Sequence, residues 1–311
     1  MGRCPTAWSD NRLIRNVVQY RWIYLMMLPG IAYFLVFKYG PMYGLLIAFK
    51  DFQFTKGILG SPSVGFKHFL TMFHSSSFFN ILRNTVLIQV YKLAFTFFAP
   101  VILSLMLNEV RHTRFKKVLQ TIVYLPHFLS WVIVGGIFLT LLGPRGDLNA
   151  ALALLGLPTP NWMMEPRYFR SIVVLSSLWK EAGWGTIIYL AAMSAIDPSL
   201  YEAATVDGTR KLQSIRYITL PSLVPVMIML FILQIGHLLE AGFEQIFVLY
   251  NPMVYEVGDV FSTYIYRIGL QGMQFSYTTA IGIFESLIGF LLVLGSNRLT
   301  NRLSNGEFGL W

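Results

Sequence analysis

"YEAATVDGTRKLQSIRYITLP", residues 201–221, is a mostly polar stretch set between two strongly apolar ones. How it is read depends on the class of chain that carries it. The 311 residues are 55% hydrophobic and 13% charged, with a mean hydropathy of +0.57, against roughly 25% charged in an ordinary soluble chain. The formal charge of +9 comes in short clusters between apolar runs. That pattern fits the basic cytoplasmic loops of a membrane protein better than a nucleic-acid groove, so no nucleic-acid partner is expected. The single cysteine, Cys4, excludes an intrachain disulfide and a multi-cysteine metal site. No apolar run precedes Cys4, so it does not read as a lipid-anchor site. The first apolar run is too long for a cleavable signal peptide and lacks a small-residue cleavage site. Together these features describe an all-α polytopic membrane protein embedded in a lipid bilayer.

A helix needs roughly 20 apolar residues to cross the hydrocarbon core. Six stretches qualify: 22–49, 82–107, 118–142, 168–192, 218–239 and 278–294. They are too long and continuous for barrel strands, and helices leave no backbone group unpaired in lipid. "ALALLGL" (151–157) is too short to span and is expected at an interface or as a small external helix. Basic residues cluster before the first span (Arg12, Arg15, Arg21) and after the second (Arg111, Arg114, Lys116, Lys117). They cluster again after the fourth (Arg210, Lys211, Arg216) and after the sixth (Arg298, Arg302). With six spans these four segments share one side, which the positive-inside bias makes the cytoplasm. Both termini and the loop 201–221 are therefore expected to be cytoplasmic, and 55–77 and 251–272 external.

Within the loop, Pro198 and Ser199 stand at a helix start ahead of good helix formers. Gly208 interrupts after Asp207, where a chain reversal needs a permissive residue. A second short helix resumes with Leu212, Ile215 and Ile218 at helical spacing, and Pro221 is expected in the first turn of the next span. An amphipathic interfacial connector would also look like this. The spacing is more specific. Glu202-Ala203-Ala204, three residues, Gly208, nine residues, Ile218, one residue and Leu220-Pro221 match the EAA signature of ABC-importer permeases at every position.

The chain thus resembles the inner-membrane subunit of a binding-protein-dependent sugar importer of the maltose-type class. The stretch 64–85, "GDLNAALALLGL" (146–157), "FEQIFVLYNP" (243–252) and "STYIYRIGL" (262–270) extend the likeness. The external loops and the closing "GEFGLW" (306–311) are most similar to the complex-sugar, LplB-type branch. The resemblance implies a type I ABC importer permease fold in one transmembrane domain over residues 1–311, with a core at about 80–300 and a cytoplasmic coupling loop at about 197–221. It implies that Tyr201, Glu202, Ala203, Ala204, Asp207 and Gly208 dock on a separate nucleotide-binding ATPase dimer, which would bind the ATP and magnesium. It also implies a second, related permease subunit, an extracytoplasmic solute-binding protein and residence in the bacterial cytoplasmic membrane. The chain itself has no G-x-x-x-x-G-K-[ST] loop, HExxH, paired-His spacing or G-x-S-x-G elbow. No catalytic residue, bound cofactor or metal is expected of it.

Charged groups at bilayer depth cost on the order of 3 kcal/mol and should face protein or water. At about 100° per residue, Ser177, Lys180, Glu181 and Trp184 fall within about 100° of arc on the fourth span. His237, Glu240 and Glu244 fall within about 60° on an extended fifth helix. Internal ion pairing explains Lys180 and Glu181 equally well, and Lys92 and Glu285 are available as partners. The family resemblance implies instead that both stripes line a mid-membrane sugar cavity. The family's asparagines are absent, and the charges and Trp184 suit a complex or modified oligosaccharide. The rival reading, a proton-coupled secondary transporter using the intramembrane Glu and His residues, usually goes with internal repeats. None is found here, and that reading leaves the loop signature unexplained.

Overall fold

The computed structural model describes residues 16, 19–236, 238–240 and 242–303. Cys4, Arg12, Arg15, the closing 306–311, both chain ends and the candidate site residue His237 lie outside the described residues. Among the described residues there is no strand; one isolated bridge joins Lys50 to Ser63.

The first helix, α1 (Arg21–Phe34), runs through a π turn (Leu35–Tyr39) into a tighter 3-10 stretch (Gly40–Phe49). None of its side chains is buried before Ala48, so it adds little to the chain's own core. A short helix, α2 (Lys67–His74), leads into α3 (Ser76–Asn108), 33 residues long. This helix starts six residues before the apolar run expected from residue 82.

The third apolar run, 118–142, is not one straight span. It folds as α4 (Thr113–Tyr124), a 3-10 turn (Leu125–Phe128) and α5 (Trp131–Leu141), with a bend of 100° between the two halves. Pro126 supplies no backbone N–H. Leu129 and Ser130 then turn extended, and the Ser130 hydroxyl accepts the Ile133 N–H at 3.3 Å, capping α5. Hydropathy could not show this, because a proline-broken run and a straight one are equally apolar.

Next comes α6 (Asp147–Leu154), a short helix over most of the stretch too short to span, and then the central helix α7 (Pro166–Ser194). α7 lies along α3 and passes so close to the break that a Cβ on Gly183 would overlap the Val123 carbonyl. Such small-residue approaches hold helices together where lipid supplies no hydrophobic driving force. The loop helix α8 (Pro198–Val206) precedes α9, helical over Lys211–Gly236. Pro221 does not open α9. The helix is already formed, and a π turn (Ile215–Thr219) lies just before the proline, a usual way to relieve its missing donor and steric clash.

α9 ends at Gly236 rather than continuing to residue 239 and beyond. After a turn at Leu238 and Leu239, Gly242 adopts φ +72° and starts α10 (Phe243–Leu249). Short helical turns at Tyr255–Gly258 and Phe261–Tyr264 and a π segment (Ile265–Gln271) lead to α11 (Phe275–Leu303). They are pinned to α3 by Asn84, which donates to the Glu256 and Asp259 carbonyls, and tied to one another by the pairing of Arg267 with buried Asp259.

Four described helical stretches are long and apolar enough to cross a bilayer, and the bent pair makes a fifth. α7 has the length, about 44 Å at 1.5 Å per residue, but its polar face is buried in protein. Phe169, Val173, Ser176, Ser177, Lys180 and Thr186 are among its buried residues.

Candidate functional site

Gln245 organises the centre of the molecule. It is fully buried at the start of α10, and every hydrogen-bonding position of its amide is used. Its Nε2 donates to the Val173 carbonyl at 2.6 Å and to Ser176 Oγ at 2.9 Å. Its Oε1 accepts from Ser177 Oγ at 2.9 Å and from Lys92 Nζ at 3.0 Å. One side chain thus joins α3, α7 and α10.

Beside it opens a cleft of about 530 Å³ between α3, α5, α7, α9 and the 238–242 connector. Its lining includes Lys92, Trp131, Ser177, Glu181, Trp184, Glu240 and Gln245. A larger hollow of about 720 Å³ lies on the surface around α2 and is lined by that one short segment.

The expected site residues divide. Ser177, Glu181 and Trp184 share the cleft with Glu240, as their spacing suggested. Lys180 does not line it. Only 6% exposed, it turns into the break of the third span, where its ammonium donates to the His127 carbonyl at 2.5 Å and lies 3.7 Å from Glu181. That carbonyl sits within the helix break, where the turn leaves backbone acceptors available to a buried cation. Glu244 also leaves the site. The helical arc assumed for residues 237–244 is cut by the turn and by Gly242, so Glu244 is exposed and its neighbour Gln245 points inward.

Two participants were missed from sequence. His127 stacks flat on Trp184, with ring centroids 4.4 Å apart and planes 4° from parallel, and its Nδ1 meets Glu181 Oε2 at 2.9 Å. Its pattern signal was the "LPHFLS" punctuation inside an apolar run. Gln245 gave no signal beyond being polar in an apolar stretch.

At the other end, the loop is built as its residues suggest. The Asp197 carboxylate caps α8 by accepting the Ser199 N–H at 2.9 Å. Hydrogen bonds from the Ser199 backbone and side chain hold that carboxyl below its ordinary range. α8 closes in a Schellman motif: Thr209 N–H bonds the Ala204 carbonyl, and Gly208 N–H the Thr205 carbonyl. Gly208 sits at φ +74°, a conformation that costs most L-residues roughly 1–2 kcal/mol. Two links attach the loop to the bundle, Tyr201 Oη to Thr219 Oγ1 at 2.8 Å and Lys211 to Glu109 at 2.8 Å. Glu202, Ala203, Asp207 and Gly208 remain exposed, as does Val206 at 87%.

Residues 100–305 match the family described as binding-protein-dependent transport system inner membrane component. The polygalacturonan/rhamnogalacturonan transport system permease protein YteP of Bacillus subtilis (strain 168) is 46% identical, over 97% of this chain and 94% of its own length. Protein LplB of the same organism is 42% identical over 91% and 89%. A solved bacterial ABC transporter involved in the import of the acidic polysaccharide alginate contains a chain that superposes with a TM-score of 0.88. That chain is 44% identical, with 94% of this chain and 99% of that one covered.

Proposed function

The chain belongs to the binding-protein-dependent transport system inner membrane component family, and from that premise we propose that it forms one half of the membrane pathway of an oligosaccharide importer. An extracytoplasmic solute-binding protein delivers the sugar, and a second, related permease chain completes the pathway. ATP and magnesium act on separate nucleotide-binding subunits. Both termini and the α8 loop face the cytoplasm, where Tyr201 to Gly208 dock on the ATPase dimer.

The observation that carries this reading is the cleft itself, a hollow in the bundle whose largely apolar walls carry the polar and charged side chains of Gln89, Lys92, Ser177, Glu181, Glu240 and Gln245. Trp131 and Trp184 offer faces on which sugar rings stack, and Ser177, Gln89 and Glu240 offer hydroxyl partners. The exposed, capped loop helix provides the second half of the mechanism. A rigid α8, tied to α9 through Tyr201, with the start of α9 tied in turn to the end of α3 through Lys211 and Glu109, passes movement of a docked ATPase to the helices that wall the cleft.

Reconstitution tests it. The chain, its partner permease, the ATPase subunits and the loaded binding protein in proteoliposomes are expected to take up oligosaccharide only with ATP inside. Uptake driven by a proton gradient without ATP would overturn the proposal.

A further inference from the structure

Lys92 sits at residue 17 of the 33-residue α3, halfway along a membrane-spanning helix, and lines the cleft. An ammonium at that depth is costly unless it serves protein or a polar cargo. Its placement is fixed by a neutral group: Gln245 Oε1 accepts from it at 3.0 Å, and the other polar atom of that amide is held by Val173 and Ser176. Both carboxylates of the cleft have other partners, and Glu181 reaches Lys92 only through its longer-range charge. Glu181 is bonded to His127 and lies 3.7 Å from Lys180, and Glu240 has partners within the chain. Among the described residues no carboxylate lies within ion-pair distance of Lys92. An ammonium carries three donors, and among the described residues one acceptor is supplied.

We infer that Lys92 contacts a carboxylate of the transported oligosaccharide, so that the cargo is a chain of acidic sugars. Among the described lining residues Lys92 is the one cation. With Glu181 and Glu240 on the same walls, one positive charge beside amide and hydroxyl groups suits at most a singly charged carboxylate; a doubly charged phosphate ester calls for a second cation. Trp131 and Trp184 on the same walls take the ring faces. The inference rests on the proposal above that sugar passes through this cleft.

The test uses the whole complex in detergent without binding protein, with trigalacturonate and its carboxyl-reduced neutral counterpart as probes. The unaltered complex is expected to bind trigalacturonate about tenfold or more tightly than the neutral trisaccharide, the range of a charge-assisted hydrogen bond. The preference should shrink as salt is raised. Lys92→Gln should abolish it and Lys92→Arg should keep most of it. Equal binding of the two probes by the unaltered complex, binding of neither, or a preference that survives Lys92→Gln each overturns the assignment. The first two outcomes need no variant to fold. ATP-driven uptake by the same complex reports separately on the importer reading: uptake of neutral sugar alone defeats only the role of Lys92.

Discussion

Gln245 and Glu244 are neighbours with opposite fates. The first is fully buried with its amide saturated; the second is exposed. Gln245→Leu keeps the volume but strands the Ser177 hydroxyl and the Lys92 ammonium. The expected loss is on the order of 3 kcal/mol, since each buried group left without a partner costs 1–3. Glu244→Gln should stay within about 0.5 kcal/mol. Thermal unfolding of the purified complex in detergent compares them, and equal melting temperatures would deny Gln245 its organising role. Gly208 poses a conformational question instead. A Cβ there meets nothing within 4 Å, so Gly208→Val acts through the positive φ alone. It should loosen the α8 cap by about 1–2 kcal/mol and reduce co-purification of the ATPase. Unchanged co-purification and uptake would separate the cap from coupling.

At the scale of elements, the broken third span and α7 form one unit. The break presents the His127 carbonyl to Lys180, the His127 ring to Trp184 and Glu181, and the Val123 backbone to Gly183. Lys180→Met removes the ammonium from that carbonyl. Because Glu181 is 40% exposed, water softens the loss to about 1–2 kcal/mol. Gly183→Ala drives a methyl group into the Val123 carbonyl and should cost about 1–3 kcal/mol. Both should lower the melting temperature of the assembled complex. A Lys180→Met complex that is as stable as the unaltered one, yet takes up no sugar, would return Lys180 to the substrate.

For the molecule as a whole, the charge pattern predicts an orientation. Basic clusters on one side predict that Lys211→Cys, in a Cys4→Ser background, is labelled by an impermeant maleimide only after the membrane is opened. A cysteine at Lys56, in the aromatic segment expected to be external, should be labelled in intact cells. Labelling of Lys211→Cys from outside would reverse the topology and remove the loop from the ATPase.

Which features could be read without coordinates follows the range of the interaction behind each. Membrane class, the approximate positions of the apolar runs and the loop with its break at Gly208 were all legible. Hydrophobic length and a required positive φ are properties of consecutive residues. The turn in α7 that gathers Ser177, Glu181 and Trp184 was legible too, because a continuous helix has a fixed period. Where the helix stopped, the arithmetic stopped. Gly242 ends the arc that would have aligned Glu244 with Glu240, and Pro126 with Ser130 splits a run that hydropathy counts as one.

Only packing decided which polar groups face each other. Lys180 and Lys92 are both lysines at bilayer depth, and nothing in their immediate sequence distinguishes them. Tertiary structure sends Lys180 to a carbonyl exposed by a break some 50 residues earlier, and holds Lys92 at the cleft by an amide more than 150 residues away. The cost of leaving a charge unpaired in a low-dielectric interior enforces both choices. That cost depends on neighbours in space, which local sequence does not specify.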